Sequence, residues 1–183
     1  MNSRTNPAIE ARARELLKQV GCGQVPIPIE RIALEVGLSL EPMDISDDIS
    51  GVLVIGQGQS AIGYNASHAV VRQRFTIAHE IGHFLLHGSK RDLFIDKGYT
   101  AIFRRDQAVA TGDYLLERQA NQFAAALLMP EDLVRNEVRN IEFDLADETA
   151  LRELAKKFEV STQAMSLRLA HLGIFGTMQL RQG

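Results

Sequence analysis

Apolar and polar positions along the chain divide it into an N-terminal helical stretch, a β-rich stretch, two strong helices and a helical tail. Residues 8–20 (AIEARARELLKQV) place Ala8, Ala11, Leu16, Leu17 and Val20 at roughly helical spacing. Gly21, Gly23, Pro26 and Pro28 interrupt that pattern. A second short helix, IERIALEVGL, closes at Gly37. LSLEPMDI reads as a strand entering the polar turn SDDIS, and GVLVI and SAIGYN flank the glycine-containing GQGQ as the arms of a hairpin. The helical period returns from Val71 to His87. Residues 88–113 are mixed, with possible strands at LFID and TAIFRR, and offer a possible lid. YLLERQANQFAAALL, about 114–128, predicts a second strong helix that stops at Pro130. EDLVRNEV predicts a short helix, IEFDLADET an acidic loop, and LRELAKKF–EVS–TQAMSLRLAHLGIF a helix, tight turn and helix.

No repeat, low-complexity tract or linker-like composition interrupts this order. The expectation is one compact α+β body: a core over 1–130, with a small, mostly antiparallel sheet packed on helices, and a C-terminal helical segment over 131–183 packed on it. The chain has 183 residues, 45% hydrophobic and 23% charged, near the globular average, which argues against disorder. Cys22 is the sole cysteine. That excludes an internal disulfide framework and a zinc site built from several thiolates. With a net charge of −3, nothing global points to electrostatic coating of nucleic acid, which would normally need a basic chain. The N-terminal MNSRTNPAIEARARELL has no apolar signal core, and the longest apolar stretch, Phe123 to Met129, is far short of the ~20 residues a bilayer needs. A cytoplasmic protein is expected.

Chemistry concentrates at His79-Glu80-Ile81-Gly82-His83, an H-E-x-x-H on a predicted helix. Residues i and i+4 lie about 40° apart around the axis and about 6 Å along it, so both imidazoles lean over one face. They can occupy two corners of a zinc tetrahedron. Glu80, on the same turn, is placed to move a proton beside the metal. Gly82 costs ~1 kcal/mol relative to alanine in mid-helix, a cost tolerated best where another backbone approaches closely. A catalytic zinc needs a third protein ligand and an open position. His87 lies about 12 Å from His79 along a straight helix, too far for one ion. The longer H-E-x-x-H-x-x-G-x-x-H pattern fails, because Leu86 and Ser89 stand where it requires Gly and His. Downstream candidates are Asp92, Asp96, Asp106, Asp113 and Glu117. Glu117 is preferred, because its helix carries a packed face of Leu115, Ala120, Phe123, Ala124 and Leu127 and holds a ligand more rigidly than a loop. Asn121, one turn on, is a candidate to orient a ligand.

RQRFTIAHEIGHFLLH at 72–87, followed by ERQANQFAAALLMP at 117–130, resembles the ImmA/IrrE family of metallopeptidases. PIPIERIALEVGLSLE, IGYN and LAKKFEVSTQAMSLRLAHLGIF extend the resemblance over about residues 8–175. It implies a zincin-like core, with His79, His83 and Glu117 as zinc ligands and Glu80 as the catalytic base. It also implies an intracellular endopeptidase whose substrate is typically a helix-turn-helix repressor encoded nearby, cleaved to switch on stress, DNA-damage or mobile-element genes. A large C-terminal sensor domain, present in some members, is not expected.

Other residues carry weaker expectations. Arg72 and Arg74 precede the metal helix and are candidates to steer an acidic substrate or orient a ligand. Thr76 is placed like an N-cap or first-turn residue of that helix. Tyr64 and Asn65 end the second hairpin strand, a candidate edge for strand-like substrate binding. Tyr64, Tyr99, Tyr114, His87 and His171 are unranked candidates to stabilise the oxyanion. The segment from Leu151 to Phe175 has helix-turn-helix grammar, with Thr162, Gln163, Ser166 and Arg168 near the start of its second helix. Arg152, Lys156, Lys157 and Arg168 face only Glu153 and Glu159 in opposition, a balance of four against two. Phosphate contacts look sparse on that count, and packing or substrate docking is favoured over DNA binding. Besides a zinc endopeptidase, the competing functions are a DNA-binding regulator and a toxin–antitoxin or phage-immunity partner-binding protein, each with a structural metal site. The intact H-E-x-x-H favours the first, since a structural zinc has no use for a base beside it.

Overall fold

A computed structural model describes residues 5–56, 58–88, 93–96, 112–139 and 148–174. Among them are seven helices and a four-stranded sheet. The expected strand at TAIFRR, the acidic IEFDLAD and the candidates Asp92, Tyr99 and Asp106 lie outside the described residues. Two compact units divide the chain: Pro28–Ala124, and Met1–Ile27 together with Ala125–Gly183.

The first of these holds the sheet. Helix α2 (Ile29–Glu35) buries Ile29, Ile32 and Ala33 and packs against the strand that follows, β1 (Leu38–Met43). The hairpin expected from GVLVI and SAIGYN forms as β2 (Gly51–Val54) and β3 (Ser60–Asn65), paired antiparallel. β4 (Leu93–Asp96) pairs antiparallel with β2. The hairpin folds back so that β3 lies between β2 and β1, giving the order β1-β3-β2-β4. β1 and β3 therefore run parallel, with Leu40 opposite Ile62, and the sheet is mixed, with two of its three ladders antiparallel. This overturns one expectation. The strand ending in Tyr64 and Asn65 is paired on both sides, so its backbone cannot accept an added strand.

Alternation along β2 turns Gly51 and Leu53 inward, buried, against helix α3 (Val70–His87). From Thr76 to His83 every residue of α3 is buried, as in a helix enclosed all round. Thr76 is therefore a mid-helix residue rather than a cap; Ala69 stands at the cap position. Asn65, itself buried, ties down the loop between β1 and β2. Its Nδ2 lies 3.1 Å from the carbonyls of Ile45 and Ile49 and 3.3 Å from that of Ser46, and its Oδ1 accepts from the Ser67 amide at 2.9 Å. Helix α4 (Gly112–Leu128) supplies the other wall, with Ala120, Phe123 and Ala124 fully buried. Leu115 does not join them: it is 55% exposed in the first turn.

The second unit is helical. α1 (Pro7–Gln19) is capped by Asn6, whose side chain accepts from the Ala8 amide at 3.0 Å. It shares this unit with α5 (Glu131–Arg139), α6 (Glu148–Phe158) and α7 (Thr162–His171). α6 ends at Glu159, in the left-handed region with φ 52°, and Ser161 caps α7 by accepting from the Ala164 amide at 3.1 Å. This is the expected helix, tight turn, helix. Arg168 is only 2% exposed. It forks onto the Glu10 carboxylate, Nη2 to Oε2 at 2.9 Å, while its Nε donates to the Met129 carbonyl at 2.9 Å. Arg168 is thus a core residue, unavailable to a DNA base or phosphate.

Candidate metal centre

The i, i+4 spacing on α3 places the His79 and His83 rings edge to face, with centroids 4.6 Å apart. Their Nε2 atoms are 3.0 Å apart. Glu117 reaches them from α4, with Oε2 3.3 Å from His79 Nε2 and Oε1 3.2 Å from His83 Nε2. Two imidazole nitrogens and a carboxylate so close repel unless something positive sits among them. A tetrahedron with bonds of 2.0–2.1 Å has edges of about 3.3–3.4 Å, so these separations match the donor spacing of a zinc-sized cation. Among the described residues, His79, His83 and Glu117 form the one cluster of donor atoms close enough to share an ion. His87, also buried, meets His83 edge to face at a centroid distance of 5.6 Å and lies outside this cluster.

Two neighbours hold the rings. His79 Nδ1 lies 3.0 Å from Asn121 Oδ1, one turn beyond Glu117. With that oxygen accepting, a ring proton sits on Nδ1 and Nε2 points at Glu117, able to give its lone pair to a cation or, when protonated, to donate to the carboxylate. Phe94 of β4 stacks on the His83 ring at 4.5 Å with planes inclined by 29°. Phe94 was not singled out from sequence, since a lone aromatic in a four-residue strand carries no mark of its partner. The Glu117 carboxyl illustrates the electrostatics. Burial alone would raise its pKa, but hydrogen bonds from His79 and His83 and their charge prevail and hold it at about 2. Glu80 is fully buried, with its carboxylate against the start of β2.

α3 and α4 can approach this closely because of Gly82. A Cβ there would lie 3.2 Å from the Cα and the carbonyl oxygen of Ala120 and 3.2 Å from Phe123 Cδ1. The unfavourable mid-helix glycine is thus explained by the backbone passing it.

The weaker candidates scatter. Arg72 Nη2 donates to Ser50 Oγ at 2.9 Å, and Arg74 is buried with Nη1 3.9 Å from Glu30 Oε2 of α2. Both guanidinium groups are engaged within the fold. Tyr64 is half-buried in β3, Tyr114 is half-exposed one turn before Glu117, and His171 is exposed in the helical unit. The side chains of Asp96 and Asp113 are outside the described residues.

Comparison with known proteins gives the family. The family model described as the IrrE N-terminal-like domain matches residues 36–170. The "Radiation response metalloprotease IrrE" of Deinococcus radiodurans is 37% identical over 100 residues, which cover 55% of this chain and 27% of that protein. The chain thus spans about a quarter of that relative's length. The solved structure of a Mycobacterium tuberculosis transcriptional regulator matches with a TM-score of 0.61 at 17% identity, over 89% of this chain and 47% of that one. That likeness is one of fold. With a matched stretch that contains the whole donor cluster, the chain belongs to the ImmA/IrrE family of metallopeptidases.

Proposed function

We propose that this chain is a zinc-dependent endopeptidase of the cytoplasm that cuts one protein partner, a helix-turn-helix transcriptional repressor, and so releases stress or mobile-element genes. The observation that carries this reading is the convergence of His79, His83 and Glu117 at 3.0–3.3 Å, with the buried Glu80 carboxylate on the next helical position. His79, His83 and Glu117 hold the zinc, and Asn121 keeps the His79 ring turned toward it. When bound, zinc polarises the substrate carbonyl and water as a Lewis acid. Glu80 accepts a proton as the water oxygen bonds to the carbonyl carbon. As the C–N bond breaks, Glu80 returns that proton to the departing amine nitrogen.

The repressor as substrate is supported by the resemblance of the motifs and by the helix-turn-helix grammar of α6 and α7, since such pieces pack well against their own kind. Direct DNA binding is disfavoured. Arg168 is buried, which removes it from the four cations of this segment that could meet phosphates.

The test is to incubate the zinc-loaded chain with the repressor-like product of a neighbouring gene. Chelator-sensitive fragments are expected. Glu80→Gln should retain zinc and slow cleavage by about 10²-fold or more. Cleavage at the normal rate by that variant would remove Glu80 as the base. A stable complex with no turnover would favour a partner-binding protein instead.

A further inference from the structure

Arg72, Thr76 and Glu80 recur every four residues along α3, so their side chains share one face of the helix. That face meets the start of β2. Arg72 holds Ser50 through the 2.9 Å hydrogen bond to its Oγ. The next residue, Gly51, is paired on both sides, opposite Tyr64 of β3 and Asp96 of β4, so its backbone has little room to shift. A side chain at 51 would point the same way as Leu53, into the interior. A methyl group built there overlaps the Thr76 methyl and lies 3.2 Å from Glu80 Oε1 and 3.3 Å from the Gly63 carbonyl oxygen. Glu80 is fully buried, so the atoms around its carboxylate, rather than solvent, set where it sits.

We propose that Gly51 and Thr76 are positioning residues for Glu80. The Ser50–Gly51 corner, anchored by Arg72, is the seat that aims the carboxylate relative to the His79–His83–Glu117 donors. The bare backbone at 51 is what leaves the carboxylate its place, and the Thr76 methyl closes the seat from the side. Arg72 then serves as an anchor for β2 rather than as a steering charge. The catalytic consequence rests on the endopeptidase reading above; the seat itself does not.

The experiment compares Gly51→Ala, Thr76→Ser and the double variant in the full zinc-loaded chain. Crystal structures give the Glu80 position, chelator competition gives the zinc affinity, and cleavage of the neighbouring repressor gives kcat and KM separately. In Gly51→Ala the Glu80 carboxylate is displaced, zinc affinity and KM stay within about twofold, and kcat falls about 10–100-fold, the scale of a misplacement near 1 Å. Thr76→Ser removes the overlapping methyl, so in the double variant the carboxylate moves back and kcat recovers by about fivefold or more. Should Gly51→Ala fail to fold, the double variant takes its place, measured against Thr76→Ser alone. A carboxylate that stays where it is in wild type, or a loss of zinc in place of a loss of kcat, overturns the proposal. Absence of cleavage by the wild-type chain would remove the endopeptidase reading, while the crystallographic position of Glu80 would still decide the seat.

Discussion

Gly82→Ala tests the geometry of the metal centre most directly. On helix propensity alone the change should help, by about 0.5–1 kcal/mol. The packing opposes it. The added methyl would sit 3.2 Å from two backbone atoms of Ala120 and from the Phe123 ring, closer than such contacts settle. Neither partner is the free end of a flexible side chain: one is backbone, and Phe123 is fully buried. α3 and α4 must separate by a few tenths of an ångström, and overpacking of this kind costs about 1–3 kcal/mol. The net expectation for the metal-free chain is a loss of about 0–2.5 kcal/mol, or a few degrees in Tm. The sharper consequence is at the site. Glu117 rides on α4 and both histidines on α3, and metal bonds tolerate only about ±0.2 Å. Zinc affinity should therefore fall about tenfold, equivalent to ~1.4 kcal/mol. Competition with a chromophoric chelator measures the affinity, and thermal unfolding with and without zinc separates it from stability. A variant that binds zinc as tightly as wild type and melts higher in chelator would refute the argument, since propensity would then have won and the close approach would not be setting the donor spacing.

Two further outcomes concern stability. In metal-free buffer, Glu117 has a folded pKa of about 2 against an ordinary 4.5, so its stabilising contribution is present above about pH 4.5 and is lost as pH falls through about 2. Urea unfolding of wild type and Glu117→Gln should differ most above that window and converge below it; a constant difference would show that the His79 and His83 contacts do not set the carboxyl's ionisation. In the helical unit, Arg168→Ala leaves Glu10 without its fork and the Met129 carbonyl without its donor, and a loss of about 3–5 kcal/mol in chemical unfolding is expected. A loss below about 1 kcal/mol would mark the pair as an ordinary surface bridge.

Local signals carried much of the site. The i, i+4 histidines, the adjacent Glu80 and the misfit glycine at 82 are all legible because helix geometry alone relates them. Glu117 and Asn121 were legible in kind, as polar residues on a helix with an apolar face, since one periodic pattern marks both. Helix ends were also readable where chemistry marks them, at Pro130 and at Ser161. The compact units follow which elements share a core, and α1 falls with the C-terminal helices, a grouping that no local pattern marks.

What sequence alone determined was thus a set of elements and a metal motif within one helix. The fold decided which partners those elements meet. Period-two alternation says which face of a strand is apolar but not which strand lies beside it, so it could not place β3 between β1 and β2. Charge counts could not tell that Arg168 is locked onto Glu10, 158 residues away, or that Arg72 anchors Ser50. Phe94 on His83 and Gly51 against Glu80 are likewise long-range contacts. Each depends on two surfaces meeting, a property that neither segment encodes by itself.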